Sequence, residues 1–347
     1  MSPDHLFGKL IAQATALTRR GNLAEATQAI QRALHLGRES LPAAPPPAGD
    51  AIVLDGLVRE VDTPPPTVPT QPASFDEYPF ATAQGLRHYK LFIPAGLGDR
   101  RAPLVVMLHG CSQNPDDFAA GTRMNEFAQQ RGFRVLYPAQ AQRSNAYKCW
   151  NWFRPGDQRR DAGEPAMLAG MTRQVMQTHA VDADRIYVAG LSAGGAMAAI
   201  LAHEYPDVFA AAGVHSGLAQ GAASDVASAF TVMKQGPHAL PAEAAASPVP
   251  MIVFHGDQDS TVHPRNGEHL VAGQAASDVS QGESAAGRSF VRTSYRDTSG
   301  RLMAEHWLVH GAGHAWSGGS PAGSYTDAQG PDATREMLRF FAQHRRA

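Results

Sequence analysis

Gly190-Leu191-Ser192-Ala193-Gly194 follows the β-rich run Arg185-Ile186-Tyr187-Val188-Ala189 and opens an alanine-rich helical run from 195 to about 203. A G-x-S-x-G pattern alone is weak in a chain with 33 glycines. Between a strand and a helix it carries a mechanism: small residues two before and two after the serine permit the tight, strained turn that lifts Oγ out of a sheet. The helix then aims its free N–H groups and its dipole at the reaction centre, where both favour developing negative charge. The stretch predicts an α/β fold with a mostly parallel central sheet, helices on both faces, and Ser192 as nucleophile.

A serine nucleophile needs a base and an orienting acid, which in this arrangement follow it in the order Ser, Asp, His. The apolar run Pro250-Met251-Ile252-Val253-Phe254 reads as a buried parallel strand that empties into His255-Gly256-Asp257-Gln258-Asp259. Asp259 is the expected acid. Asp257 competes, but it lies nearer the strand end, where a carboxylate more often shapes the turn. Glu305-His306-Trp307-Leu308-Val309 reads as the last strand, followed by His310-Gly311-Ala312-Gly313-His314. His314, next to glycine on a loop, is the expected base, whereas His306 lies within the strand and His310 ends it. An oxyanion hole requires the N–H after the nucleophile and a second from the loop after an earlier strand. Pro103-Leu104-Val105-Val106-Met107-Leu108 runs into His109-Gly110-Cys111-Ser112-Gln113, so the expected donors are the amides of Ala193 and Cys111, with Ser112 the alternative to Cys111. His109 reads as a loop-shaping side chain.

These stretches, with Cys149-Trp150-Asn151-Trp152-Phe153, Gly163-Glu164-Pro165-Ala166, Tyr205-Pro206-Asp207-Val208-Phe209 and Gly313-His314-Ala315-Trp316, resemble the esterases of the polyhydroxybutyrate depolymerase family, which includes relatives of feruloyl and acetyl xylan esterases. The resemblance runs from about Tyr78 to the C-terminus. It implies an α/β-hydrolase fold, Ser192, Asp259 and His314 at the family's triad positions, and a disulfide between Cys111 and Cys149 near the active site. It also implies ester hydrolysis through an acyl-enzyme, with short-chain polyhydroxyalkanoate, polymer or oligomer, as substrate. The alternatives are a feruloyl or acetyl carbohydrate ester or a general short-chain ester. Many polymer-degrading members carry a separate substrate-binding domain, and the chain ends one helix after the histidine loop, so soluble oligomers are expected alongside polymer. A granule- or partner-binding protein on a hydrolase scaffold is the reading from another class, and the complete Ser192, Asp259 and His314 set counts against it. Trp316, Trp150 and Trp152 are expected to line the substrate site, with core packing as the competing reading.

At 347 residues, 43% hydrophobic and 18% charged, the chain can bury one large core. A net charge of −2 without basic blocks leaves no nucleic-acid footprint and no polybasic membrane patch. The two cysteines lack C-x-x-C spacing, so no metal is expected, nor any organic cofactor. Residues 1–40 read as a helix pair, 41–74 as a Pro-rich linker, and 75–347 as the catalytic domain. A lone pair cannot bury its apolar face, so it is expected to dock on the core, dimerise or anchor to an apolar surface. No run reaches membrane-span length and the N-terminus shows no signal-peptide core. The family and the cysteine pair nevertheless favour an extracellular or periplasmic location, with the cytoplasm as the alternative. The Ala/Ser-rich stretch 217–247 is expected to be a partial cover over the site or a surface excursion, and 332–343 the closing helix.

Overall fold

A computed structural model describes residues 72–82, 85–237 and 247–346. The expected helix pair and all but the last residues of the linker lie outside them. The chain runs β1 (Ser74–Thr82), β2 (Gly85–Ile93), β3 (Ala102–Leu108), α1 (Pro115–Thr122), α2 (Met124–Arg131), β4 (Arg134–Ala139), α3 (Gly163–Thr178), β5 (Val181–Leu191) and α4 (Ala193–Glu204). It continues through β6 (Ala211–His215), α5 (Val226–Gln235), β7 (Met251–Gly256), α6 (Arg265–Leu270), β8 (Ala276–Glu283), β9 (Ser289–Arg296) and β10 (Leu302–Val309) to α7 (Ala333–Phe341). Two short strands, β11 (Trp316–Ser317) and β12 (Thr326–Asp327), pair with each other between β10 and α7.

The main sheet has ten strands in the order β1-β2-β4-β3-β5-β6-β7-β10-β9-β8. Neighbours from β4 to β10 pair parallel, and both flanks are antiparallel. Strands β3 and β7 read as apolar runs because both faces are covered. In β3, Leu104, Val106 and Leu108 pack with α3 and α4, through Leu168, Met197 and Ile200. Val105 and Met107 face the other way, into the core made with α1, α2 and α7 through Phe118, Phe127, Met337 and Phe341. Helix α4 is buried from Ala193 to Ala202, so the helix behind the nucleophile is fixed on nearly all sides. The closing helix starts at its Asp332 cap, whose carboxylate accepts the Arg335 amide at 2.9 Å.

The mostly parallel sheet with helices on both faces is the α/β-hydrolase arrangement. The β8–β9 hairpin has no counterpart in the sequence reading: β8 is an exposed edge strand whose residues show no apolar alternation. The described part of the 217–247 stretch holds α5, started by a capping box between Asp225 and Ser228. Its C-terminal end braces the loop after β7, where the Met233 carbonyl accepts from His263 N–H at 2.7 Å and Lys234 Nζ donates to the Ser260 carbonyl at 2.6 Å. Among the described residues no helix is long and apolar enough to cross a membrane.

Candidate active site

Ser192 sits between β5 and α4 at φ 57° and ψ −119°, a conformation that L-residues seldom adopt. The backbone around it holds the strain. Ser192 N–H donates to the His215 carbonyl at the end of β6 (2.9 Å), and its own carbonyl accepts Ala196 N–H (2.9 Å). A Cβ at Gly190 or Gly194 would overlap the Leu108 carbonyl, which explains the small residues on either side of the serine. Ser192 itself is half-buried, with Gly110 of the loop after β3 alongside it.

Loops after β7 and β10 supply two aspartate–histidine pairs. Asp259 Oδ2 accepts from His314 Nδ1 at 2.7 Å, and its Oδ1 accepts the amides of Thr261 (2.9 Å) and Val262 (2.8 Å). Burial pushes this carboxyl up, but His314 and His255 outweigh burial and hold it well below the usual carboxylate range. With Nδ1 engaged, His314 keeps Nε2 for acid–base work. The competitors pair with each other: Asp257 Oδ2 lies 2.9 Å from His310 Nδ1, and Asp257 Oδ1 accepts Gly311 N–H at 2.8 Å. His306 is buried in β10, and burial lowers its pKa to about 4. Ser192 and the His314 loop are joined through His215, whose Nε2 accepts Ser317 N–H at 3.0 Å.

Cys111 and Cys149 are disulfide-bonded, tying the loop after β3 to the segment ahead of Trp150. The Ser112 amide donates to the Tyr147 carbonyl at 2.6 Å, so the alternative donor is already engaged. Among the described residues none accepts from the amides of Cys111 or Ala193, which leaves both available to an oxyanion. Gln113 Oε1 accepts Gly110 N–H (2.9 Å), while its Nε2 donates to Asp117 (2.8 Å) and to the Ser324 carbonyl (3.1 Å). His109 shapes the loop: its Nε2 accepts Gln140 N–H at 3.2 Å, Nδ1 reaches the Gly110 carbonyl at 2.8 Å, and burial lowers its pKa to about 4. Behind it, buried Glu164 accepts Asn151 N–H (2.7 Å) and Nδ2 (2.6 Å) and also Gln140 Nε2. Burial nevertheless raises this carboxyl to about 7.

The three tryptophans are core residues, which corrects their expected place on a substrate wall. Trp150 is fully buried, with its indole N–H on the His109 carbonyl (3.1 Å). Trp316 is fully buried between Phe118 and His215 and donates to Thr334 Oγ1 (3.0 Å). Trp152 is buried against Phe153. Their indole N–H groups or rings are satisfied by protein, and an aromatic residue gives the same sequence signal in a core as in a pocket. The reading from sequence passed over Gln113, Glu164, His215 and His255, although Gln113, Glu164 and His255 stand inside the quoted motifs. Among the described residues no group of His, Cys, Asp or Glu is placed to hold a metal ion.

Residues 87–283 match the family described as Esterase PHB depolymerase. The chain is 33% identical over 249 residues to Poly(3-hydroxyalkanoate) depolymerase C of Paucimonas lemoignei, covering 68% of this chain and 60% of that protein. It is 31% identical over 198 residues to Feruloyl esterase B of Thermothelomyces thermophilus, covering 52% of this chain and 67% of that protein. An acetyl xylan esterase from Aspergillus awamori has the same fold, with a TM-score of 0.61 at 18% identity over 77% of this chain and 99% of that one.

Proposed function

The chain belongs to the esterase PHB depolymerase family, and on that premise we propose that it is a serine ester hydrolase cleaving short-chain polyhydroxyalkanoate, polymer or oligomer, through an acyl-enzyme on Ser192. The observation that carries the reading is the combination of a strained serine after β5, a buried Asp259–His314 pair formed by the loops after β7 and β10, and two amides, of Ala193 and Cys111, with no acceptor among the described residues.

In this mechanism His314 Nε2 takes the Ser192 proton as Oγ attacks the ester carbonyl. The Ala193 and Cys111 amides stabilise the tetrahedral oxyanion. His314 returns the proton to the departing alcohol, the free hydroxyl end of a shortened chain. It then deprotonates a water that attacks the acyl-enzyme, and returns that proton to Ser192 Oγ as the C–Oγ bond breaks and the acid is released. Asp259 keeps His314 in the tautomer with Nδ1 protonated and stabilises its charged form. The depolymerase likeness supports the polyester substrate. A feruloyl or acetyl carbohydrate ester is the second reading, favoured by the feruloyl esterase likeness.

The disulfide supports an extracellular or periplasmic setting, where thiols oxidise. The test is the intact protein and Ser192→Ala on p-nitrophenyl butyrate, hydroxybutyrate trimer, amorphous polyhydroxybutyrate film and methyl ferulate. Cleavage of trimer and film by the wild type alone supports the reading. A large preference for ferulate overturns the substrate, and wild-type rates in Ser192→Ala overturn the nucleophile.

A further inference from the structure

We propose that His255 is a positioning residue for the acid–base pair, an inference that rests on the roles assigned above to Asp259 and His314. His255 lies in β7, four residues before Asp259, with no exposed surface. Its Nε2 lies 2.8 Å from the Val262 carbonyl, and Val262 N–H in turn donates to Asp259 Oδ1 at 2.8 Å. Val262 is therefore held at its carbonyl by the histidine and at its amide by the acid. The same Nε2 stands 3.5 Å from Asp259 Oδ2, the oxygen that receives His314.

The other ring nitrogen has no such task. Among the described residues His255 Nδ1 is buried without a partner, and so is His306 Nε2 behind it. Both face Gly267 of α6, where a Cβ would stand 2.9 Å from His255 Nδ1 and 3.0 Å from His306 Nε2. An apolar side chain would fill this space without burying an unpaired nitrogen, so what the imidazole adds here is its Nε2–H. The groups that face the acid are His314 from the loop after β10, His255 from β7, His215 from β6 and Lys234 from α5, with His306 of β10 against His255. Burial keeps His215 and His306 neutral, with pKa values lowered to about 3 and about 4.

Part of the Asp259 charge is thus answered by the His255 donor. Without that donor the carboxylate holds protonated His314 more tightly, and the acid limb of kcat/KM moves to higher pH. The acid also loses one of the contacts that fix its turn. His255→Gln keeps an N–H able to reach the Val262 carbonyl, and His255→Leu removes it. Gly267→Ala displaces the ring without removing either of its nitrogens.

The experiment measures kcat and KM on p-nitrophenyl butyrate across pH, together with the downfield proton resonance of His314 Nδ1–H in the free protein. For His255→Leu, kcat is expected to fall about 10–100-fold with KM nearly unchanged. The acid limb is expected to rise by roughly half a pH unit, and the downfield resonance to move. His255→Gln restores all three readouts. If His255→Leu does not fold, Gly267→Ala must show the limb shift and the displaced resonance. Equal losses in Leu and Gln variants with an unmoved limb and resonance overturn the proposal in favour of plain packing, and so does an unmoved resonance in Gly267→Ala. The resonance needs no substrate, so a wild type without esterase activity counts against the proposed function and leaves the His255 test standing.

Discussion

Asp259 with His314 and Asp257 with His310 come from the same two loops, and their ring-to-carboxylate distances are nearly equal, 2.7 and 2.9 Å. Their surroundings differ. The inner pair leaves 0% of the aspartate and 12% of the histidine side chain exposed, against 28% and 41% in the outer pair. In the buried setting little water competes for either partner, so the carboxylate acts at close to full strength on the imidazole. The outer pair is screened, and pairs of that kind contribute about 0–1 kcal/mol. Asp257 spends its other oxygen on Gly311 N–H and its own amide on the Val309 carbonyl (3.1 Å), so the outer pair secures the base of the loop that carries His314. An aspartate–histidine contact is thus a weak signal by itself. Burial, and what lies within reach of the histidine's second nitrogen, decide whether it can do chemistry.

Breaking the inner pair has the largest expected effect: Asp259→Asn lowers kcat about 10⁴-fold on p-nitrophenyl butyrate, because an amide no longer fixes the useful tautomer. A buried carboxylate away from the reacting atoms sharpens the contrast. Glu164→Gln is expected to lower kcat by only about tenfold, by loosening the segment that holds Cys149. It also changes stability with pH. The folded-state pKa of Glu164 is raised from 4.5 to about 7, so the stability linked to its proton is present below 4.5 and lost as pH rises through about 7. Thermal melts of Glu164→Gln should therefore be flatter than the wild type's across that window. Breaking the outer pair with Asp257→Asn should change kcat less than about threefold while lowering Tm by a few degrees, roughly the worth of one exposed pair and one loop hydrogen bond. Smallest of all, raising salt to about 1 M, where the Debye length is about 3 Å, should reduce that Tm difference and leave kcat of the wild type nearly unchanged.

Strands β3 and β7 were legible because burial on both faces writes them as continuous apolar runs, and the elbow was legible because Gly190 and Gly194 are forced by the Leu108 carbonyl. The β8–β9 hairpin was not, since an exposed edge strand needs no apolar pattern. Partner choice between Asp257 and Asp259 favoured the residue farther from the strand, but which histidine each meets depends on how two loops 55 residues apart in sequence fold together. The same limit hid the support of the oxyanion loop. Gln113 meets Ser324 across a separation of 211 residues, and Glu164 meets Gln140 across 24. Trp150 and Trp316 were visible as large aromatics, but only the packing shows them pointing into the core.

The most direct test of the claim that the inner pair alone activates Ser192 is the rate at which a fluorophosphonate labels that serine, with the adduct located by peptide mass spectrometry. The account predicts labelling of Ser192 at near wild-type rate in Asp257→Asn and a loss of about 10³-fold or more in Asp259→Asn. Equal rates in the two variants, or an adduct on any other residue, would contradict it.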